Sequence, residues 1–245
     1  MAAVAKFPPW IRRWGLGLAV MAWANLSSLR ASDLPPECPR SVAVQDRPEL
    51  ARLLQPSLQS PGGEADYRDQ IQTTVAGSPR LSHWCVWIEP GSREQRWQPA
   101  IGAALSRWQQ VLPIDQVPNS DQAQVLVLHR RPPLVYREGR QRASHGRTTL
   151  TARYVDRGGQ WRLEPSLVVM VDSTQRQEGI QATALHELGH AFGLWGHSLN
   201  QGDVMAASPG ARPLLQLSPR DLATLNWLYH QPTTYGRPWT AAPAP

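Results

Sequence analysis

The chain has 245 residues, enough for one domain of ordinary size with flanking segments. Its 41% apolar content and 11 Trp supply a core and exclude a chain disordered throughout, although 23 Pro punctuate it heavily. The net charge of +6 is carried almost wholly by Arg, with Lys6 the only lysine; these Arg form no long run, which argues against a nucleic-acid partner and leaves anionic cell-surface polymers as a secondary one.

At the start, Lys6, Arg12 and Arg13 precede an uncharged run over residues 14–26, the order of a secretory signal. Ala22 and Ala24 offer a small-residue cleavage site after Ala24. The alternatives are an uncleaved N-terminal anchor and a twin-arginine signal at Arg12-Arg13, which the neighbouring residues match poorly. Export predicts a secreted, periplasmic or cell-surface protein, in which Cys38 and Cys85 can hold a disulfide. The competing role for Cys38 is latency, its thiolate filling the open position of a metal site.

Residues 27–80, rich in Pro, Gln, Ser and Gly with a breaker cluster at 59–63, read as a linker or pro-segment, partly disordered, with a short helix near 48–54. The domain is expected over 81–231. It starts with a strand at 81–88, followed by an amphipathic helix through Trp97, Ile101, Ala104, Leu105, Trp108 and Val111 that Pro113 stops. Strands are expected at 123–128 and 147–155, then at 161–163 and 166–171 with a break at Pro165. The residues after Gln231, 232–245, read as a disordered tail.

Over 177–194 the period changes to that of a helix, with Ile180, Ala184, Leu185, Leu188, Ala191 and Phe192 on its apolar face. His186 and His190 are then one turn apart, offset by about 40° and about 6 Å, so their imidazoles can share one metal ion. Glu187 stands beside the first ligand, where a carboxylate can take a proton from an attacking water and return it to a leaving amine. Gly193 suits a left-handed helix end, after which the chain turns back and brings His197 to the same metal. Three neutral nitrogen ligands leave a fourth position open, as in catalytic zinc sites. A bare His-Glu-x-x-His arises by chance in roughly 3% of chains of this length, and requiring Gly193 and His197 lowers that roughly 400-fold, so chance is a poor explanation. The other four histidines, His83, His129, His145 and His230, have no comparable spacing and read as ordinary.

At these residues the chain resembles the metzincin peptidases, whose His-Glu-x-x-His-x-x-Gly-x-x-His signature is followed by a Met-turn. Met205, in Gly202-Asp203-Val204-Met205, is the candidate for that turn, an apolar floor beneath the ligands and not a ligand itself. Ser198, directly after the third histidine, and the stretch 217–229 resemble the matrixin branch. That stretch also reads as a helix on its own terms: Ser218 caps, Pro219 opens, Asp221 completes a capping box, and Leu222, Leu225 and Leu228 supply an apolar side. The resemblance covers about residues 81–230, with its motifs confined to about 180–230.

The resemblance implies an α+β, zincin/metzincin-like catalytic domain: a twisted, mostly parallel five-stranded sheet with an antiparallel edge strand, an active-site helix and a C-terminal helix. It implies a monomeric zinc-dependent metalloendopeptidase with one catalytic Zn²⁺ and a protein or peptide substrate, held in extended form by an edge strand that lies between Thr148 and Val171. Calcium is left open, because Asp156-Arg-Gly-Gly159 is a poor calcium loop and His145 lacks partners for a second zinc. No Pro-Arg-Cys-Gly latency motif precedes the domain, and Ala206-Ala-Ser-Pro209 replaces the Tyr-containing wall of the usual specificity pocket. Two other readings fit parts of the sequence: an exported non-catalytic basic binding module on the same scaffold, and zinc-dependent amide hydrolysis on a non-protein substrate.

Overall fold

Along the chain, the computed structural model runs β1 (Ala43–Gln45), β2 (Trp84–Ile88), α1 (Trp97–Gln109), β3 (Ile114–Gln116), β4 (Val125–His129), β5 (Val135–Arg137), β6 (Arg140–Arg142), β7 (Gly146–Asp156), β8 (Trp161–Val171), α2 (Gln177–Ala191) and α3 (Pro219–Tyr229). The described residues are 38, 41, 43–46, 48–56, 63–91, 95–137, 140–208 and 210–238, all within one unit, 36–245. The secretory signal, its cleavage site, the breaker cluster apart from Gly63, and the tail residues 239–245 lie outside them. No helix among the described residues is long and apolar enough to cross a membrane.

Six strands form one sheet in the order β1-β7-β8-β4-β2-β3. From β8 to β3 the pairing is parallel; β7 runs antiparallel to β8, and β1 antiparallel to β7. The architecture is the expected α+β one with six strands in place of five. The sixth, β1, comes from the stretch read as linker and covers β7 only at Tyr154, Val155 and Asp156. β8 is continuous through Pro165, which lies opposite Ala152 of β7. β4 joins β8 only from Leu167 onward, so the missing N–H falls in a stretch with one strand neighbour, where proline is tolerated.

Alternation builds the sheet's inner face, and Leu163, Leu167, Val169 and Val171 of β8 are fully buried. α1 and α2 pack on one another, and α2 lies against β7 and β8. The apolar face expected of α1 is buried from Trp97 to Trp108; Val111 lies beyond the helix end and is 40% exposed. Trp108 has no exposed surface and donates its indole N–H to the Leu185 carbonyl over 3.0 Å, tying α1 to α2. Truncating such a residue to Ala costs about 3–5 kcal/mol.

The folded body reaches beyond 81–231 at both ends. Upstream, Leu50 of the 3-10 helix Pro48–Leu54, then Tyr67, Ile71 and Ala76, all enter the core. Downstream, Thr233 donates to the Ser78 carbonyl over 2.6 Å, the Gly236 N–H donates to Leu163 over 2.8 Å, and Tyr235 is 3% exposed. Residues 63–80 and 232–238 therefore pack into the same folded body as 81–231. Each contributes isolated apolar residues to slots between other elements, so neither carries a periodic pattern.

Candidate active site

α2 delivers its two histidines on one side, with ring centroids 4.8 Å apart. The helix ends on a Schellman turn: the Gly193 N–H reaches the His190 carbonyl over 3.0 Å and the Leu194 N–H reaches that of Gly189 over 2.9 Å. Gly193 takes φ +108°, a left-handed conformation that glycine adopts without penalty. The chain then reverses. Gly196 passes so close to the Gln70 carbonyl that no Cβ fits, and the Trp195 carbonyl accepts from the Gln72 N–H over 2.6 Å. That reversal brings the His197 ring to 5.3 Å from His186 and 5.0 Å from His190, and one ligand nitrogen from each ring lies within 4.8 Å of the others.

Backbone carbonyls set the tautomers. His186 Nδ1 is 2.7 Å from the Val204 carbonyl, and His190 Nδ1 is 2.7 Å from that of Leu194. A carbonyl only accepts, so each Nδ1 carries the proton and each Nε2 keeps its lone pair. Burial holds the His186 imidazole below its ordinary pKa and drives that of His190 down to about 3, with the neighbouring His186 adding to the effect. Both rings are neutral, as metal ligands must be. Burial pushes the Glu187 carboxyl up to about 7, opposed by the Thr148 hydroxyl 2.8 Å from its Oε2.

The loop after His197 is clamped from beneath. The Ser198 N–H donates to the Met205 carbonyl over 2.8 Å, and the Ser198 hydroxyl donates to Asp203 over 2.5 Å. Met205 is fully buried against Gly189, between the two helical histidines, where no Cβ would fit. Asp221 of α3, 1% exposed, accepts from the N–H groups of Val204, Met205 and Ser218 and from the Tyr67 hydroxyl. One carboxylate thus links the floor of the site, the cap of α3 and the upstream segment. Ser218, Pro219 and Asp221 cap α3 as expected, but Leu222 is 38% exposed and the inward positions belong to Asp221, Thr224, Leu225 and Leu228.

Residues 83–230, more than half of the chain, match the matrixin peptidase family. The chain belongs to the matrixin family. Matrixins are zinc metallopeptidases, which sets the chemical class of this matrixin as hydrolysis of protein or peptide substrates. No curated protein matches the chain. The donor set fits zinc: three convergent imidazoles, two of them neutral and held by carbonyls in the tautomer that frees Nε2.

The structure joins Cys38 to Cys85, Cα atoms 5.9 Å apart, so the Cys38 sulfur is committed to a disulfide and the latency role falls away. Cys85 lies on β2, three strands from β7. His83 contacts Asp115, His129 packs on Trp97, His145 approaches Asp172 and His230 bonds the Asn226 carbonyl, so the remaining histidines have ordinary surroundings. Sequence reasoning missed Thr148, Tyr67 and Asp203, and saw Asp221 only as half of a capping box. Each acts on residues distant in the chain, and none has a spacing signature.

Proposed function

We propose that this chain is a zinc endopeptidase in which His186, His190 and His197 hold the ion and Glu187 is the general base. The observation that carries the reading is the convergence of three imidazoles beside a buried carboxylate. A bound zinc ion would supply Lewis acidity, polarising the scissile carbonyl and acidifying water. Glu187 takes the proton of the attacking water on a carboxylate oxygen and passes it to the leaving amine nitrogen. Burial suits it to both halves of that task by bringing its proton affinity toward neutrality. Met205 and Asp221 keep the ligand turn rigid from below.

The open edge of β7 supports an extended substrate. β1 pairs with that edge only at Tyr154, Val155 and Asp156, which leaves 146–153 without a strand on that side among the described residues. A peptide laid there gains main-chain hydrogen bonds and passes Glu187 at the Gly146 end. The Cys38–Cys85 disulfide supports an exported protein, since such bridges persist in oxidising compartments.

Metal content and cleavage of a quenched peptide library, measured together before and after chelation, test the reading. One zinc per chain is expected, with cleavage that chelation abolishes and added zinc restores, and with products from internal bonds. His190→Ala is expected to lose both zinc and cleavage. Cleavage that survives complete removal of zinc would reject the proposal.

A further inference from the structure

Two residues of β7 that the histidine motif does not include shape the surroundings of Glu187. Gly146 and Thr148 are two apart on a strand, so they stand on the same face of it, and β7 packs against α2. Thr148 Oγ1 is 2.8 Å from Glu187 Oε2 and 2.8 Å from the Glu187 carbonyl oxygen. The hydroxyl has one proton to give, and the ionised carboxylate is the stronger acceptor of the two. On the other side, a Cβ at Gly146 would stand 2.6 Å from Glu187 Cγ, 2.8 Å from its Oε1 and 2.5 Å from Thr183 Cγ2. Those distances are shorter than nonbonded carbon and oxygen atoms reach. The absent side chain at Gly146 is the space in which the carboxylate lies, the close approach that a glycine inside a strand often marks.

A glutamate side chain has three rotatable bonds and samples several rotamers when nothing restrains it. A general base has to sit within about 3 Å of the proton it takes, so that freedom works against catalysis. We propose that Thr148 is a positioning residue for the general base: its hydroxyl bond, with the room left by Gly146, fixes the Glu187 carboxylate in one orientation beside the histidine cluster. Oε2 is held by the bond and Oε1 lies over the glycine. The oxygen over Gly146 is the one free to take the proton from water, because Oε2 is engaged by a donor. The device that aims the base, Gly146 and Thr148, then lies within the strand edge that receives the substrate, 146–153.

The inference rests on the reading of Glu187 as base, so its test includes a readout that needs no hydrolysis. Thr148→Val removes the hydroxyl at nearly constant shape, Thr148→Ser keeps it, and Gly146→Ala fills the space while leaving the hydroxyl in place. In crystal structures of the zinc-loaded protein, the Glu187 carboxylate is expected to keep its place in the wild type and Thr148→Ser. It is expected to be rotated or split between rotamers in Thr148→Val and Gly146→Ala. On a quenched peptide, Thr148→Val is expected to lower kcat about 10–100-fold with zinc content and KM unchanged, and Thr148→Ser to recover most of that loss. A carboxylate unmoved in Thr148→Val overturns the proposal whatever the activity. So does a loss that Ser and Val share equally, or one carried by KM. Full activity in Glu187→Ala would remove the base reading itself, a different failure, because the carboxylate positions still report whether Thr148 holds them.

Discussion

His186, Glu187, His190 and His197 come from twelve consecutive residues, 186–197, whereas the groups that hold them in place, Tyr67, Thr148, Asp203 and Asp221, come from four separate parts of the chain. Three members of the first set are placed by the period of one helix, and the fourth, His197, by a left-handed glycine and a turn that packs on Gln70 and Gln72. The second set exists only when the upstream segment, β7, the Met205 loop and α3 are all docked. Damage to the two should therefore separate: in the proposed mechanism the first set governs chemistry with little effect on folding, whereas the second governs folding and reaches the chemistry through the placement of the histidines and, at Thr148, of Glu187.

The largest effect on stability is expected at Asp221. Replacing it with Ala leaves Tyr67, Val204, Met205 and Ser218 without their acceptor in a buried site. Each unpaired buried donor costs about 1–3 kcal/mol, so a loss of about 3 kcal/mol or more is expected in denaturant unfolding, with zinc affinity falling about 10-fold. Stability close to wild type in Asp221→Ala would show that the two regions are not organised in this way. Next comes the disulfide. Cys38→Ser with Cys85→Ser opens a link across 47 residues and is expected to cost about 2–4 kcal/mol, with kcat of the folded fraction unchanged because the bridge lies three strands from β7. Tyr67→Phe removes one bond to an ionised acceptor, about 2 kcal/mol, and zinc content should not change.

The smallest effect concerns pH. The hydrogen bond from Arg68 holds Asp66 below its ordinary 3.8, against the opposing effect of burial. A carboxyl whose pKa is lower in the folded chain adds stability that is present above pH 3.8 and is lost as pH falls through the folded value. Asp66→Asn should therefore lower the neutral plateau of a plot of unfolding free energy against pH by a small amount and flatten its acid limb, so that the two proteins converge in acid. An acid limb identical to wild type would assign that pH dependence to other carboxylates.

The same contrast explains what the sequence makes legible. The ligand helix, its glycine stop and the cap of α3 are local patterns, and they lie where the residues place them. The parallel strands β2 and β4 show as short apolar runs, and β7 shows by alternation. β1, β3, β5 and β6 have three residues each, too few to set a period, and they form because a longer strand or a partner accepts them. Pro165 reads as a break because proline lacks an N–H, and which flank of a strand stays open is known only once the neighbours are in place. Leu222 has helical spacing and still faces outward, since the capping carboxylate Asp221 takes the inward position. Tyr67, Ile71 and Tyr235 sit among breakers and look like loop residues, yet each is buried by surfaces far along the chain. Thr148 is one of several threonines in a strand, and only the packing of β7 on α2 singles it out.

In the proposed mechanism Glu187 transfers the proton at a site that His186, His190 and His197 build. The most direct measurement is the cleavage rate and zinc content of Glu187→Ala beside the wild type, both loaded with zinc. One zinc bound to each, an unchanged unfolding midpoint, and a rate lower by about 10²–10⁴-fold in the variant are expected. Wild-type cleavage by zinc-loaded Glu187→Ala would contradict it.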